Sequence, residues 1–469
     1  MLVALLAIVA WLAAVEVHNL QARIPGIDKP ATAPDAPQRP LIGQFTQGKG
    51  RPAVLQGNWP RFRGEHFDAI VHDSVPLARE WPSEGPDTLW SLDLGEGYAG
   101  PAVRDGRVYL LDYDAKQEAD VLRCLSLADG QEIWQYAYPV KIKRFHGMSR
   151  TMPAVSEKYV VTLGPKCHVM CLDAKSGELH WLKDLVAEFG ATVPQWYAGQ
   201  CPLIDGERAI FAPGGDSLMV ALDCQSGDVV WRCPNPRAWK MTHASIVPME
   251  FAGRKMYVYF GKGGVAGISA DDGSLLWDTT AWKIGIATCP SPVILPEGRI
   301  FCCGGYNSGA VMLQLVEEGD KLVAKELYRL KPKQFGSTQH TPIYYDGHLF
   351  GVREHDKQLV CLDLDGNEVW ASGPDARTGE GRGPYFIADG MIFLLDDDGW
   401  LSIVEATSEA YRPLARARVL DGHDAWAPMA LAAGRLLARD LTRMVCLDVA
   451  KSLPQPTQAT EEVEESKND

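Results

Sequence analysis

The chain has 469 residues, 46% of them hydrophobic and 23% charged, a composition that excludes a disordered polymer and fits a globular protein. Acidic side chains number 60 against 46 basic ones, and the net charge of −14 repels phosphate backbones, which argues against a nucleic-acid partner. The length would suit two or three ordinary domains, unless the chain is one array of repeats.

The first signal is apolar. Leu2 to Val15 carries no charge and ends at Glu16. Such a run falls short of the ~20 residues a membrane-spanning helix needs. Residues 1–17 are therefore expected to be a signal peptide or a membrane anchor. No Lys or Arg precedes them and the small-residue site at Ala13-Ala14 is weak, so both readings stand. Residues 18–56, with Pro25, Pro30, Pro34, Pro37, Pro40 and Pro52, read as a Pro-rich linker. At the far end, 450–469 reads as an acidic disordered tail.

Between them lies a repeat. The copies VLRCLSLADGQEIW (121–134), VMCLDAKSGELHW (169–181), MVALDCQSGDVVW (219–231), VAGISADDGSLLW (265–277) and LVCLDLDGNEVW (359–370) share one pattern. Each is an apolar run, a turn with Gly, and a second apolar run ending in Trp, which is the signature of a β-hairpin. Trp90, Trp134, Trp181, Trp231 and Trp277 recur at intervals of 44 to 50 residues, and Trp370 follows two periods later. Tyr328 stands where the intervening Trp is missing, and the period after Trp370 ends near Leu414. A second hairpin precedes each of these, beginning near Pro101, Pro153, Pro202, Ser245, Pro292, Pro342, Pro384 and Pro428. Two hairpins per period give four strands, and eight periods predict an all-β, eight-bladed β-propeller over 57–449. The last copy stops after its third strand, MVCLDV (444–449), so TLWSLDL (88–94) is expected to complete it and close the ring.

Cysteine usage does not suggest a disulfide framework. Eleven is an odd number, and Cys124, Cys171, Cys361 and Cys446 share one slot of the repeat with Ala221, as a small strand position would require.

The pattern A/S-x-D-x-x-S/T-G-x-x-x-W, best seen in LDAKSGELHW and LDCQSGDVVW, resembles the pyrroloquinoline-quinone (PQQ) repeat. The opening NWPRFRG (58–64) and LAREWPSEGPDTLWSLDLGEGYAGPAV (77–103) look like PQQ-like proteins of planctomycetes. The resemblance implies that Trp90, Trp134, Trp181, Trp231, Trp277 and Trp370 dock neighbouring blades. It also implies two classes of function: quinone-dependent alcohol or sugar dehydrogenases, and catalytically silent scaffolds of the BamB type.

The dehydrogenases hold PQQ with calcium on the axis, beside a disulfide between adjacent cysteines. Cys302-Cys303 is such a pair in sequence, but a strand would send the two side chains to opposite faces. Calcium takes six to eight oxygens. Asp396, Asp397, Asp398, Glu354 and Asp356 read as solvated turn residues, and Asp112, Asp114 and Asp120 as one exposed connection. No C-x-x-C-H attachment sequence is present. No cofactor and no catalytic or metal-binding residue is expected, with PQQ and calcium as the alternative.

The residues about two places before each innermost strand are expected to ring one mouth of the channel. Thr151, Gln200, His243, His340, Arg382 and Trp426 are the candidates for ligand binding there, with Arg150, Trp196, Tyr197 and His423 nearby. The sequence thus suggests a non-enzymatic, periplasmic or membrane-anchored scaffold with an envelope protein or polymer as partner. Its apolar N-terminus is a potential membrane contact. A dehydrogenase, or a propeller binding carbohydrate or another small ligand, is the alternative.

Overall fold

A computed structural model describes residues 41–451 apart from 74, 145–146 and 374–380. The expected signal or anchor (1–17), the first part of the linker (18–40) and nearly all of the acidic tail lie outside the described residues.

Eight antiparallel sheets follow one another along the chain. They span 102–139, 154–184, 203–234, 247–279, 293–330, 343–371, 385–418 and 430–448, numbered here as blades 1 to 8. In each, the first strand in sequence lies innermost and the fourth outermost. Blade 8 lacks an outer strand of its own. Thr88–Asp93 supplies it, with Trp90 opposite Cys446 and Leu92 opposite Met444. The ring is an eight-bladed β-propeller closed by pairing an early segment with a late one, which leaves no unpaired face at the seam.

The recurring small residue has a steric cause. Cys124, Cys171, Ala221, Gly267 and Cys361 each pair directly across from the Trp of the next strand. A β-bulge follows each of them. A large side chain opposite an indole would overfill the layer; a thiol or methyl does not. All eleven cysteines are free, Cys302 and Cys303 included. Cys302 packs into the core between blades 4 and 5, and Cys303 into the core between blades 5 and 6.

The tryptophans sit in the seams. The Nε1 groups of Trp90, Trp134, Trp181 and Trp370 donate to carbonyls in the turn of the following blade, at Leu127, Lys175, Asp223 and Cys224, and Thr407. The glycine of that turn lets the indole approach. A Cβ on Gly177 would lie 2.7 Å from the Trp134 ring, and Gly177 also holds a φ of 74°. Trp231 instead stacks on Tyr257 of blade 4. Trp277 donates to Met256 Sδ within its own blade. The following hairpin explains this: its strands run ten residues each, Gly309–Glu318 and Lys321–Leu330, and carry the turn outward past the usual position. Tyr328 occupies the Trp place in blade 5, with its ring 2.8 Å from where a Cβ on Gly366 would lie.

Two sequence readings are corrected. The end of the Pro-rich stretch 18–56 is not a free linker, because Gln44–Gln47 adds a fifth strand to the outer edge of blade 1, antiparallel to Glu132–Pro139. Its flanks carry glycine where the backbones meet: a Cβ on Gly48 would fall 1.9 Å from the Glu132 carbonyl oxygen. Asp112 and Asp120 are buried rather than exposed, because the second and third strands of blade 1 extend to include them. Asp120 accepts from the Tyr138 hydroxyl at 2.7 Å, and burial pushes its pKa up to about 7.

Candidate functional site

The innermost strands meet around an axis, and three devices shape what lies on it. The first is a belt of side chains. In blades 2 to 6 the residue two places before the inner strand sits next to its counterpart in the neighbouring blade. Met152 N donates to Cys201 Sγ, Cys201 N to Ser245 Oγ, Ser245 N to Ser291 Oγ, and Ser291 N to Thr341 Oγ1. Each blade from 2 to 5 is thus tied to the next through one short side chain, satisfying a backbone donor that the sheet leaves over.

The second device is a plug. Residues 57–73 cross the end of the channel and touch blades on every side. Trp59 bridges to Val103, Pro60 O accepts from Val155 N, and Arg61 reaches Ile204 O. On the far side Ile70 and Val71 pair in parallel with Ile387 and Ala388, and Asp73 accepts from Ala433 N. Arg63 is buried at the centre and donates to the carbonyls of Phe67, Asp68 and Thr341.

The third is Arg439 at the closing seam. It is 1% exposed and donates to the carbonyls of Asp440, Ala99, Gly95 and Leu441. Burial lowers the pKa of both Arg63 and Arg439 to about 10, so each keeps its charge at neutral pH.

Above the plug lies a cavity of about 450 Å³, with Phe62 in its lining and all eight blades contributing. That size is in the range of small-molecule sites. His243, His340, Arg382 and Trp426, expected from the sequence, line it. Thr151 and Gln200 do not. Thr151 Oγ1 donates to Leu163 O, and Gln200 Oε1 accepts from Ala212 N, each bonding the second strand of its own blade. In blades 2 and 3 the residue one place earlier faces the cavity instead, as Arg150 and Gly199. Of the nearby residues, Arg150 and Trp196 line it. Tyr197 is buried with its hydroxyl on Lys143 O, and His423 lies outside the lining.

Sequence reading missed Tyr98, Cys289, Tyr306, Gln339 and Glu354 in the wall. Glu354 was read as a solvated turn residue. It accepts from the backbone of Tyr306 and Asn307 and from Thr338 Oγ1, which fixes the loop after the second strand of blade 5 against the cavity. Asp397 has a comparable task, accepting from Arg382 N and Trp426 Nε1. The signal for both was their common place, just past the second strand of a blade.

The wall is aromatic and basic. Trp426 and Tyr98 lie with ring centroids 5.2 Å apart, and the Arg150 guanidinium sits 5.1 Å from the Tyr98 centroid. His243 Nε2 faces Tyr197 O at 2.8 Å and so carries the proton; Nδ1 lies 3.7 Å from Cys289 Sγ. This is not a nucleophile pair. Burial, with Arg150 adding to it, drops the pKa of His243 to about 4, while burial raises that of the Cys289 thiol to about 12. A base that weak does not take a proton from a thiol that reluctant. Burial likewise lowers the pKa of His340 to about 4.

The calcium-clamped quinone fits this donor set poorly. Among the described residues Glu354 is the only carboxylate of the lining, and its oxygens are engaged. Among the described residues no group of three or more His, Cys, Asp or Glu side chains is placed to hold a metal ion. The adjacent thiols Cys302 and Cys303 sit in strand cores rather than in the cavity wall.

A family model described as outer membrane protein assembly factor BamB matches residues 117–372, more than half of the chain. No curated protein matches the sequence. Among solved structures, BamB from Moraxella catarrhalis aligns with a TM-score of 0.53 at 15% identity, covering 77% of this chain and 99% of its own. The computationally designed Ika8 protein aligns with a TM-score of 0.50 at 10% identity, covering 77% of this chain and all of its own. A quinohemoprotein alcohol dehydrogenase from Pseudomonas putida HK5 gives 0.45 at 13% identity, over 86% and 82%. Identities this low speak to fold alone. The family model, spanning most of the blades, does more: the chain belongs to the BamB family of PQQ-like propellers.

Proposed function

We propose that this protein is a non-enzymatic, exported propeller that serves as an interaction platform in the cell envelope. One observation carries the reading. The outer edge of blade 1 is already occupied by an extended segment, Gln44–Gln47, paired in antiparallel register. Among the described residues the outer strands of the other seven blades have no such partner. Several present exposed aliphatic side chains beside the open edge, including Val230 at 50%, Leu275, Leu327 at 50% and Val369. An unpaired strand edge with apolar neighbours recruits an extended segment by main-chain pairing, and alternate side chains supply selectivity. Membership of the BamB family supports the same reading, because the family model is named for an assembly factor of the outer membrane. The apolar stretch 1–17 would deliver or anchor the chain on the outer side of the inner membrane.

Photo-crosslinking residues at Val230 and Leu327, in the full chain expressed in its own cells, test this. The expected result is a discrete crosslinked envelope protein at the rim positions and none at His355, on a loop between the second and third strands of blade 6. Recovery of the chain in the cytoplasmic fraction, or equal labelling at all three positions, contradicts it.

A further inference from the structure

The axial cavity stands apart from the blade rims, and its polar atoms are specific in kind. His340 Nε2 and Gln339 Oε1 both belong to lining residues, both are buried, and neither has a hydrogen-bond partner. The neutral imidazole of His340 leaves Nε2 as a buried polar atom that a hydroxyl group can satisfy in either tautomer, because a hydroxyl both donates and accepts. The cavity therefore offers two adjacent polar atoms that call for hydrogen-bonding groups from a guest. Leaving such atoms unmatched is unfavourable, so a purely apolar guest is disfavoured. Two guanidinium groups, Arg150 and Arg382, line the same space, where Glu354 is the one carboxylate among the described residues. Guanidinium favours a planar anion such as a carboxylate. Trp196, Trp426 and Tyr98 add flat apolar faces, the surface on which the C–H face of a pyranose ring rests. The exposed side chains of Arg382 and Tyr306 mark the open side.

We propose that the axial cavity binds a small acidic sugar, its carboxylate held by Arg150 and Arg382 and its hydroxyl groups hydrogen-bonded to His340 Nε2 and Gln339 Oε1. A volume of about 450 Å³ accommodates a monosaccharide acid. Neutral sugars lack the charge for the guanidinium pair. Apolar acids lack the hydroxyls for the two buried polar atoms. The site and the rims are independent surfaces, so either function can hold without the other.

Isothermal titration of the full chain with D-glucuronate, D-glucose and cyclohexanecarboxylate tests the assignment. Glucuronate binds one to one, and the two controls bind at least about tenfold more weakly. Arg150 is packed among the blades and its replacement risks the fold, so the variants are Arg382→Gln, on an exposed side chain, and Gln339→Leu. Each is expected to weaken glucuronate binding by about tenfold, with the melting temperature unchanged. Silence with glucuronate up to about 10 mM overturns the proposal. So does equal binding of either control, or undiminished binding in both variants, which would put the ligand elsewhere.

Discussion

Two arcs of the ring solve one problem differently. From blade 2 to blade 6 each inner strand is tied to the next by a single short side chain: Cys201, Ser245, Ser291 and Thr341. From blade 6 round to blade 1 the same slot holds Gly383, Ala427 and Gly100, which offer nothing to bond with. The backbones there lie too close for more. A Cβ on Gly383 would fall 1.4 Å from Leu395 O, and one on Gly100 would fall 2.6 Å from Pro428 O. In the closing arc Arg439 from blade 8 instead bonds the carbonyls of Gly95 and Ala99 at the approach to blade 1, and Arg63 ties the plug to the Thr341 carbonyl beside blade 6. A repeat carries its own seam chemistry while the chain runs on from blade to blade. Where distant segments must meet, residues from outside the repeat slot supply the bonds.

Breaking the closing arc should have the largest effect. Arg439→Ala strips four carbonyls of their donor in a buried seam, and about 4 kcal/mol of stability is expected to go, read as a lower urea midpoint. Arg63→Met removes three such bonds and is expected to cost about 3 kcal/mol, and to loosen the plug as well.

Acid should act next. His243 and His340 have a folded pKa of about 4 against an ordinary 6.5. Between those values the unfolded chain takes up protons that the folded chain refuses. The stabilising contribution is therefore whole above pH 6.5 and shrinks as the pH falls toward 4. At pH 5 each histidine is expected to cost about 2 kcal/mol, a loss that urea unfolding of His340→Asn should show reduced relative to the parent. The smallest effect belongs to the belt: Ser291→Ala deletes one acceptor from the ladder arc, about 1 kcal/mol by the same unfolding measurement.

The two arcs also explain how much of the site was legible in the sequence. Blade number, strand order and ring closure follow from the spacing of Trp and turn glycine, because an indole seated in a seam dictates the period. The cavity wall was legible in part. Counting back from the proline at the head of each inner strand, or from Ile246 in blade 4, blades 6, 7 and 8 present the second residue, as His340, Arg382 and Trp426. Blades 1 to 5 present the third, as Tyr98, Arg150, Gly199, His243 and Cys289. A uniform count of two from the aligned prolines therefore selects Thr151 and Gln200, whose side chains turn back to the second strand. The count of two selects His243 only because Ile246 replaces the proline and the repeat there reads from Ser245. The plug was invisible to repeat alignment, since 57–73 belongs to no blade, and with it went the role of Phe62 and Arg63. Glu354 and Asp397 resembled any acidic turn, because their partners are backbone amides and an indole from neighbouring loops.

Amide hydrogen exchange over 57–73, in the parent and in Arg63→Met, bears most directly on the plug that floors the cavity and joins the arcs. Amides in the plug and facing it, such as Trp59, Ala69, Val155 and Ile387, are expected to exchange as slowly as the inner strands in the parent and markedly faster in the variant. Rapid exchange across 57–73 in the parent, at the rate of an unstructured segment, would contradict it.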